Sequence, residues 1–378
     1  MLPIHERAAS TSDPTRAGAV CVRNSLASLP EADRILIIRL GALGDVVRTR
    51  FAFASIRELY PRARIDWLVE DHAASGLDGI SGLDGVVQIQ RGRLRLGRPL
   101  TALRGVRDLV SGLRASHYDL ALDFHCILKS ALLAWASGIP RRIGYAPPHA
   151  REGSFWLLTD TARVSPAHIS RFDRNAALVR FLGGDPSDAP PDLELPPAPQ
   201  SELSRLRDEL LVMHPGTSFS TLYKRWPPER YAAVARGLRE RAGIESLVTW
   251  GPVAGEREAA EAVVSAADGA AHLAPETRSI ADLLALMKAM RLFIGSDSGP
   301  MHLASLAGLP LVAVFGPTDP VENAPFPGSP QRLLRRDVGC NPCREGCPAQ
   351  TCMSAVSVDD VLDAALELLL PDLRGPLA

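Results

Sequence analysis

The sequence predicts an α/β protein of two domains, each a doubly wound parallel sheet, facing one another across a cleft. Three observations carry this reading. Short apolar runs alternate with stretches of helical spacing from residue 34 onward. Asp185 to Gln200 then holds six prolines in 16 residues, too many for a helix or a central strand, and the alternation restarts beyond it. Finally, Arg291–Phe315 (RLFIGSDSGPMHLASLAGLPLVAVF) reads as strand, Gly-containing turn, helix and strand, the repeating unit of a parallel sheet.

A chain of 378 residues is long enough to bury two cores. At 46% hydrophobic and 22% charged it has the composition of a soluble globular protein. No apolar run approaches the roughly 20 residues of a membrane span, and the N-terminus lacks the apolar segment of a secretory signal. The expected compartment is the cytoplasm. The net charge of −1 hides an asymmetry: residues 1–184 carry 25 Lys+Arg against 17 Asp+Glu, and the remainder 17 against 26. A basic half beside an acidic half suggests that the first faces an anionic partner, whether nucleic acid, membrane surface or phosphorylated lipid.

Residues 1–33 lack periodicity and read as a mobile extension. The first domain spans 34–184. Ile35–Leu40 is a buried strand, Gly41–Asp45 a turn, and Val46–Leu59 a helix ending before Pro61. This is a Rossmann-like opening, but Gly41-Ala42-Leu43-Gly44 lacks the G-x-G-x-x-G fingerprint of dinucleotide binding. Strands follow at 64–69, 86–89, 118–124 and 141–145, and helices at 100–115, 125–137 and 170–182. An Arg-rich segment holds Arg91, Arg93, Arg95, Arg98, Arg104 and Arg107.

The Pro-rich linker occupies 185–209 and is a semi-rigid spacer. The second domain, 210–352, has strands at 210–213 and 246–250, helices at 230–242, 256–267 and 280–290, and the unit at 291–315. In that unit Ser298 is a good N-cap and Pro300 suits the first helical turn. A helix opening so points N–H groups and partial positive charge at an anion, commonly a phosphate. The chain after Phe315 is loop-like, and 353–378 supplies a final amphipathic helix from Val358 to Leu370 and a tail.

Several residues could carry chemistry. Asp45, at a strand end, is either a general base or a helix cap. Thr217, Ser218, Lys224 and Arg225 form a loop suited to a phosphate, or an ordinary surface turn. Glu256 and Glu258 are first-turn acids that the helix dipole favours in any case. Arg141 and Arg142 suit carboxylate or phosphate groups, as do the other arginines. Cys340-x2-Cys343-x3-Cys347-x4-Cys352 has the ligand count for a structural zinc or iron ion, although its spacing matches no standard finger or ferredoxin.

The string SDSGPMHLA (Ser296–Ala304) resembles the donor-site signature of the bacterial heptosyltransferases of glycosyltransferase family nine. The resemblance extends over most of residues 34–370. It implies the two-domain GT-B arrangement and an inverting, metal-independent transfer of heptose from a nucleoside-diphosphate heptose, ADP-linked, to the lipopolysaccharide inner core. By it Asp45 is the catalytic base, Lys224 neutralises the donor diphosphate, and Glu256 binds the donor ribose. Asp297, Ser298, Gly299 and His302 hold the donor sugar and phosphates, and Thr217 and Ser218 line the same loop. Asp123-Phe124-His125 with Lys129-Ser130 resembles an acceptor-side stretch of the family, which makes Lys129 an acceptor-binding candidate beside Arg141 and Arg142, whose guanidinium groups suit phosphate or carboxylate on the acceptor.

The implied partners are a nucleotide sugar, an anionic lipid-linked acceptor and the inner membrane surface, not a nucleic acid. Rival readings are a family-nine enzyme with a different sugar or a protein acceptor, a nicotinamide oxidoreductase, and a metal- or redox-binding interaction protein built on the cysteines.

Overall fold

The computed structural model describes residues 20–90, 92, 99–187, 189–197, 210–343 and 346–370. Arg91, Arg93, Arg95 and Arg98, residues 1–19 of the extension, most of the linker and the tail beyond 370 lie outside the described residues.

Residues 20–24 are not a free extension. β1 (Cys21–Val22) pairs antiparallel with β8 (Val164–Ser165), and Asn24 exchanges hydrogen bonds with the backbone of Thr161 and Arg163. The first sheet contains β2 (Arg34–Ile38), β3 (Arg64–Glu70), β4 (Gly85–Ile89), β5 (Leu120–Asp123), β6 (Arg141–Tyr145) and β7 (Asp160–Ala162), in the order β4-β3-β2-β5-β6-β7. Every pair is parallel. Ile35 lies opposite Ile65 on one side and Leu120 on the other. Strands buried on both faces need such unbroken apolar runs, which is why RILII and LALD do not alternate. Helices α1 (Leu43–Leu59), α2 (Pro99–Ala115), α3 (Leu128–Ala136) and α4 (Arg171–Phe181) cover the sheet. Ser170 caps α4 by accepting the Asp173 N–H at 3.0 Å.

The second sheet repeats the plan with β9 (Leu210–His214), β10 (Glu245–Val248), β11 (Ala271–Leu273), β12 (Phe293–Ser296), β13 (Leu311–Val314) and β14 (Gln331–Leu334), ordered β11-β10-β9-β12-β13-β14 and parallel throughout. Its helices are α5 (Pro228–Ala242), α6 (Glu256–Ala266), α7 (Ile280–Lys288), α8 (Gly299–Leu306), α9 (Thr351–Ser354) and α10 (Val358–Leu369). The sequence reading missed β7, β11 and β14, which are edge strands of three or four residues, too short to show a period. Helix α10 packs on α5, so the C-terminal helix completes the second core.

In both sheets the strand order reverses between the first and fourth strands, β2/β5 and β9/β12. Open α/β sheets hold ligands at such a switch point, beyond the carboxyl ends of the strands. The two switch points face each other. Val47 and Phe51 of α1 and Phe172 of α4 join the apolar cluster of α7 and α8. Phe51 stacks on Phe326 at 4.3 Å and meets Phe172 edge-on at 5.0 Å. Described linker residues bind the first domain through the Ile80–Leu193 bridge and Ser81–Glu194.

Candidate active site

Helix α1 begins at Leu43 with Ala42 as its N-cap residue, so Asp45 stands inside the first turn and does not cap it. Its carboxylate is instead enclosed by guanidinium groups. Arg39 at the end of β2 pairs with Oδ2, and Arg48 and Arg171 reach Oδ1 at 3.0 and 3.1 Å. Burial alone would raise the Asp45 carboxyl, but Arg39, Arg48, Arg171 and Arg174 outweigh it and hold it well below the usual carboxylate range. Asp45 is ionised at any physiological pH.

A cavity of about 380 Å³ opens at this carboxylate, lined also by Arg39, His125, His149, Arg151, Arg171 and Arg174. His125 accepts the Leu40 N–H through Nδ1 at 3.3 Å, and burial with Arg39 lowers it to about 3. It is a neutral structural tie. Asp123 anchors the turn behind it, accepting the His125 and Cys126 N–H groups and the Ser130 hydroxyl.

The three acceptor candidates named from sequence lie elsewhere. Arg141 and Arg142 begin β6, at the amino edge of the sheet, away from the carboxyl ends where the cavity lies. Arg141 pairs with Asp160 at 3.2 Å, and Arg142 donates to the carbonyls of Ile139 and Leu157. Lys129 is at the carboxyl edge but pairs with Glu70 at 2.5 Å and does not line the cavity. The cations at the cavity are instead Arg39, Arg151, Arg171 and Arg174, none of them singled out from the sequence. Only Arg39 left a sequence signal, a lone cation closing the apolar run ILIIRL.

Across the cleft stands the turn between β12 and α8. Ser298 is the N-cap residue of α8, yet its hydroxyl makes no capping bond, and among the described residues its buried Oγ has no partner. A serine that leaves the first-turn donors alone leaves them for a ligand. Asp297 accepts from Lys224 Nζ at 2.9 Å. His302 is buried on α8 and kept neutral by that burial, reinforced by Arg48. It lies against Gly44, where an added Cβ would come 3.1 Å from the His302 ring. The glycine is thus what lets α1 and α8 approach.

Thr217 and Ser218 shape the loop after β9. Thr217 Oγ1 donates to the Thr221 carbonyl at 3.0 Å, and Ser218 Oγ lies 2.8 Å from Thr221 Oγ1. Arg225 donates to the carbonyls of Gly255 and Thr217, which leaves Lys224 as the cation turned toward α8. Of the two candidate acids, Glu258 is exposed and Glu256 is buried. Glu256 accepts the Gly251 N–H at 2.8 Å, and burial raises its pKa despite that bond and Arg225. A Cβ on Gly216 would stand 2.8 Å from Glu256 Cγ and 2.9 Å from His214 Nε2. Gly216 therefore lets the loop pack directly against His214 and Glu256.

The cysteines differ in exposure. Cys340, Cys343 and Cys347 are exposed on a loop, whereas Cys352 on α9 is packed into the second core, where burial raises its thiol. Cys343 and Cys347 lie near enough to Cys352 to raise it further. Among the described residues no three His, Cys, Asp or Glu side chains are arranged to hold a metal ion. The loop leans on the Lys224 segment, since a Cβ at Gly346 would run into the Tyr223 ring.

No described helix is long and apolar enough to cross a membrane. Among known proteins, a lipopolysaccharide heptosyltransferase 1 from Pseudomonas aeruginosa is 28% identical over 324 residues, 82% of this chain and 86% of its own. The fold is shared with a glycosyl transferase family 9 structure from Veillonella parvula, at a TM-score of 0.73 and 23% identity over 90% of this chain and 98% of that one. It is shared also with an E. coli heptosyltransferase solved with ADP-2-deoxy-2-fluoro heptose, at 0.68 and 20%, covering 88% of this chain and 99% of that one. The two facing Rossmann-like domains are thus the GT-B arrangement. The model of glycosyltransferase family 9 (heptosyltransferase) matches residues 106–353, well over half the chain and the whole of the β12–α8 turn, and the chain belongs to that family of transferases.

Proposed function

We propose that the protein transfers heptose, with inversion, from ADP-heptose to the inner core of lipopolysaccharide, working at the cytoplasmic face of the inner membrane. One observation carries the reading. A carboxylate that must be ionised, Asp45, faces the open first turn of α8 across the interdomain cleft, with His302 against Gly44 fixing the approach. Similarity to proteins named as lipopolysaccharide heptosyltransferases, and to one holding an ADP-heptose analogue, supports the choice of sugar and nucleotide.

In this reading Glu256 and the loop at Gly216 take the nucleoside. Lys224 and the N-terminus of α8 take the diphosphate, and Asp297 takes hydroxyls of the sugar. The acceptor lies in the arginine-lined cavity. Its hydroxyl gives a proton to Asp45 as its oxygen bonds to the anomeric carbon, and the bond to the diphosphate breaks to release ADP. Developing negative charge on the departing phosphate meets Lys224 and backbone N–H groups, so the reading calls for no metal ion. Arg48 and Arg171 hold Asp45 as carboxylate until substrate anions compete for them, at which point its basicity rises.

The test is transfer from synthetic ADP-heptose, set against other nucleotide sugars, to a deacylated inner-core acceptor. Asp45→Asn is expected to lower kcat by at least about a hundredfold and to change ADP affinity by less than about threefold. Turnover by the variant at the wild-type rate would remove Asp45 as base. Preference for another sugar would overturn the choice of heptose.

A further inference from the structure

We propose that the outer face of α2 and α3, with the turn carrying Trp156, is the surface by which the protein docks on an anionic lipid bilayer. This deepens the lipid-linked acceptor reading above and rests on it.

Helix α3 turns Leu133 and Ala134 into the sheet but leaves Leu128, Leu132 and Trp135 half-exposed. Their spacing of four and three residues puts all three on one outward face. The 3-10 turn Ser154–Leu157 packs beside α3 and presents Trp156, which is 80% exposed. Helix α2 covers the same sheet face and adds Leu103, 67% exposed, and Val106. Six of the ten large apolar side chains exposed among the described residues therefore belong to three neighbouring elements. Concentration of that kind marks a contact surface, whereas single exposed leucines do not.

Charge selects the partner. Helix α2 carries three arginines, Arg104, Arg107 and Arg114, against one acid, Asp108, and all three arginines stand exposed alongside the apolar residues. Arginine with tryptophan and leucine on one face suits the boundary between headgroups and acyl chains of an anionic membrane, with the indoles buried shallowly and the guanidinium groups at the phosphates. A water-soluble protein partner would need no such excess of one sign.

Position supports the same partner. His125, just before α3, and Arg151, five residues before Trp156, both line the cavity at Asp45. A bilayer seated on this face would lie beside the mouth of the cavity, so an acceptor could keep its acyl chains in the membrane while its sugar reaches Asp45.

The experiment is flotation of the full-length protein with vesicles of equal parts phosphatidylglycerol and phosphatidylcholine, and with phosphatidylcholine alone. Wild type is expected to float with the mixed vesicles only, and the Trp135→Ser/Trp156→Ser variant to lose at least tenfold in partitioning. The variant should keep wild-type turnover on a deacylated, water-soluble acceptor, which also shows that it folds. Wild type failing to float, or the variant floating equally well, overturns the proposal. So does a wild-type dimer that the variant converts to monomer by light scattering, because the face would then be a self-association surface. Failure of the wild type on the soluble acceptor, with flotation intact, strikes the acceptor reading and leaves the membrane surface standing.

Discussion

Arg171 Nη1 on α4 lies 3.1 Å from Asp45 Oδ1 on α1, joining residues 126 positions apart at the floor of the cleft. Arg171 is also tied across the cleft, its N–H donating to the Glu322 carbonyl at 3.2 Å. The candidate base is therefore held by a cation whose backbone is anchored to the second domain.

Removing that cation should show in the pH profile. A neighbouring positive charge favours the carboxylate, so Arg171→Ala raises the Asp45 pKa. The acid limb of kcat/KM, where a protonated Asp45 can no longer accept a proton, is expected to move to higher pH, with a larger acceptor KM. An acid limb unmoved in the variant would separate Arg171 from the ionisation of Asp45.

Lys224 and Asp297 form an ion pair at 2.9 Å. A charge-assisted hydrogen bond to phosphate contributes about 1.5–3 kcal/mol, so Lys224→Ala should weaken ADP binding by about tenfold or more. Calorimetric titration measures this, with the melting temperature recorded because the variant leaves Asp297 buried without its cation. Unchanged affinity refutes the phosphate role.

Glu256 is buried against Gly216, whereas Glu258 is exposed. Glu256→Gln keeps the shape and loses the charge proposed to accept ribose hydroxyls. It is expected to lower affinity for ADP by about tenfold, consistent with the strength of a hydrogen bond to a charged group, and to affect 2′-deoxy-ADP much less. Equal losses for both nucleotides would place Glu256 away from the ribose.

For the cysteines the expectation is mild. Cys343 is exposed on a loop that meets the Lys224 segment at Tyr223. Cys343→Ser should retain transferase activity within about twofold, since surface changes of this kind usually stay within about 0.5 kcal/mol. A loss beyond tenfold, or a metal bound stoichiometrically by wild type and lost in the variant, would restore the cysteines to a working role.

The sequence by itself determined the alternation of strand and helix, the break at the prolines and the turn Ser296–Gly299, because these depend on period, φ restriction and capping within a few residues. Nine mixed residues at Ser296–Ala304 were also enough to point to the family. Contacts between distant residues were a different matter. Arg141 and Arg142 looked like anion ligands, but their place at the amino edge of β6 turns them to Asp160 and to carbonyls. Arg171 and Arg174 had no mark in the sequence, and only the packing of α4 beside α1 sets them around Asp45. Four cysteines within 13 residues suggested one ion, and only the packing shows that Cys352 on α9 is buried while Cys340, Cys343 and Cys347 are exposed. Local sequence fixes what each segment can be. Which charges meet is decided by how helices pack on a sheet, over separations that no short motif records.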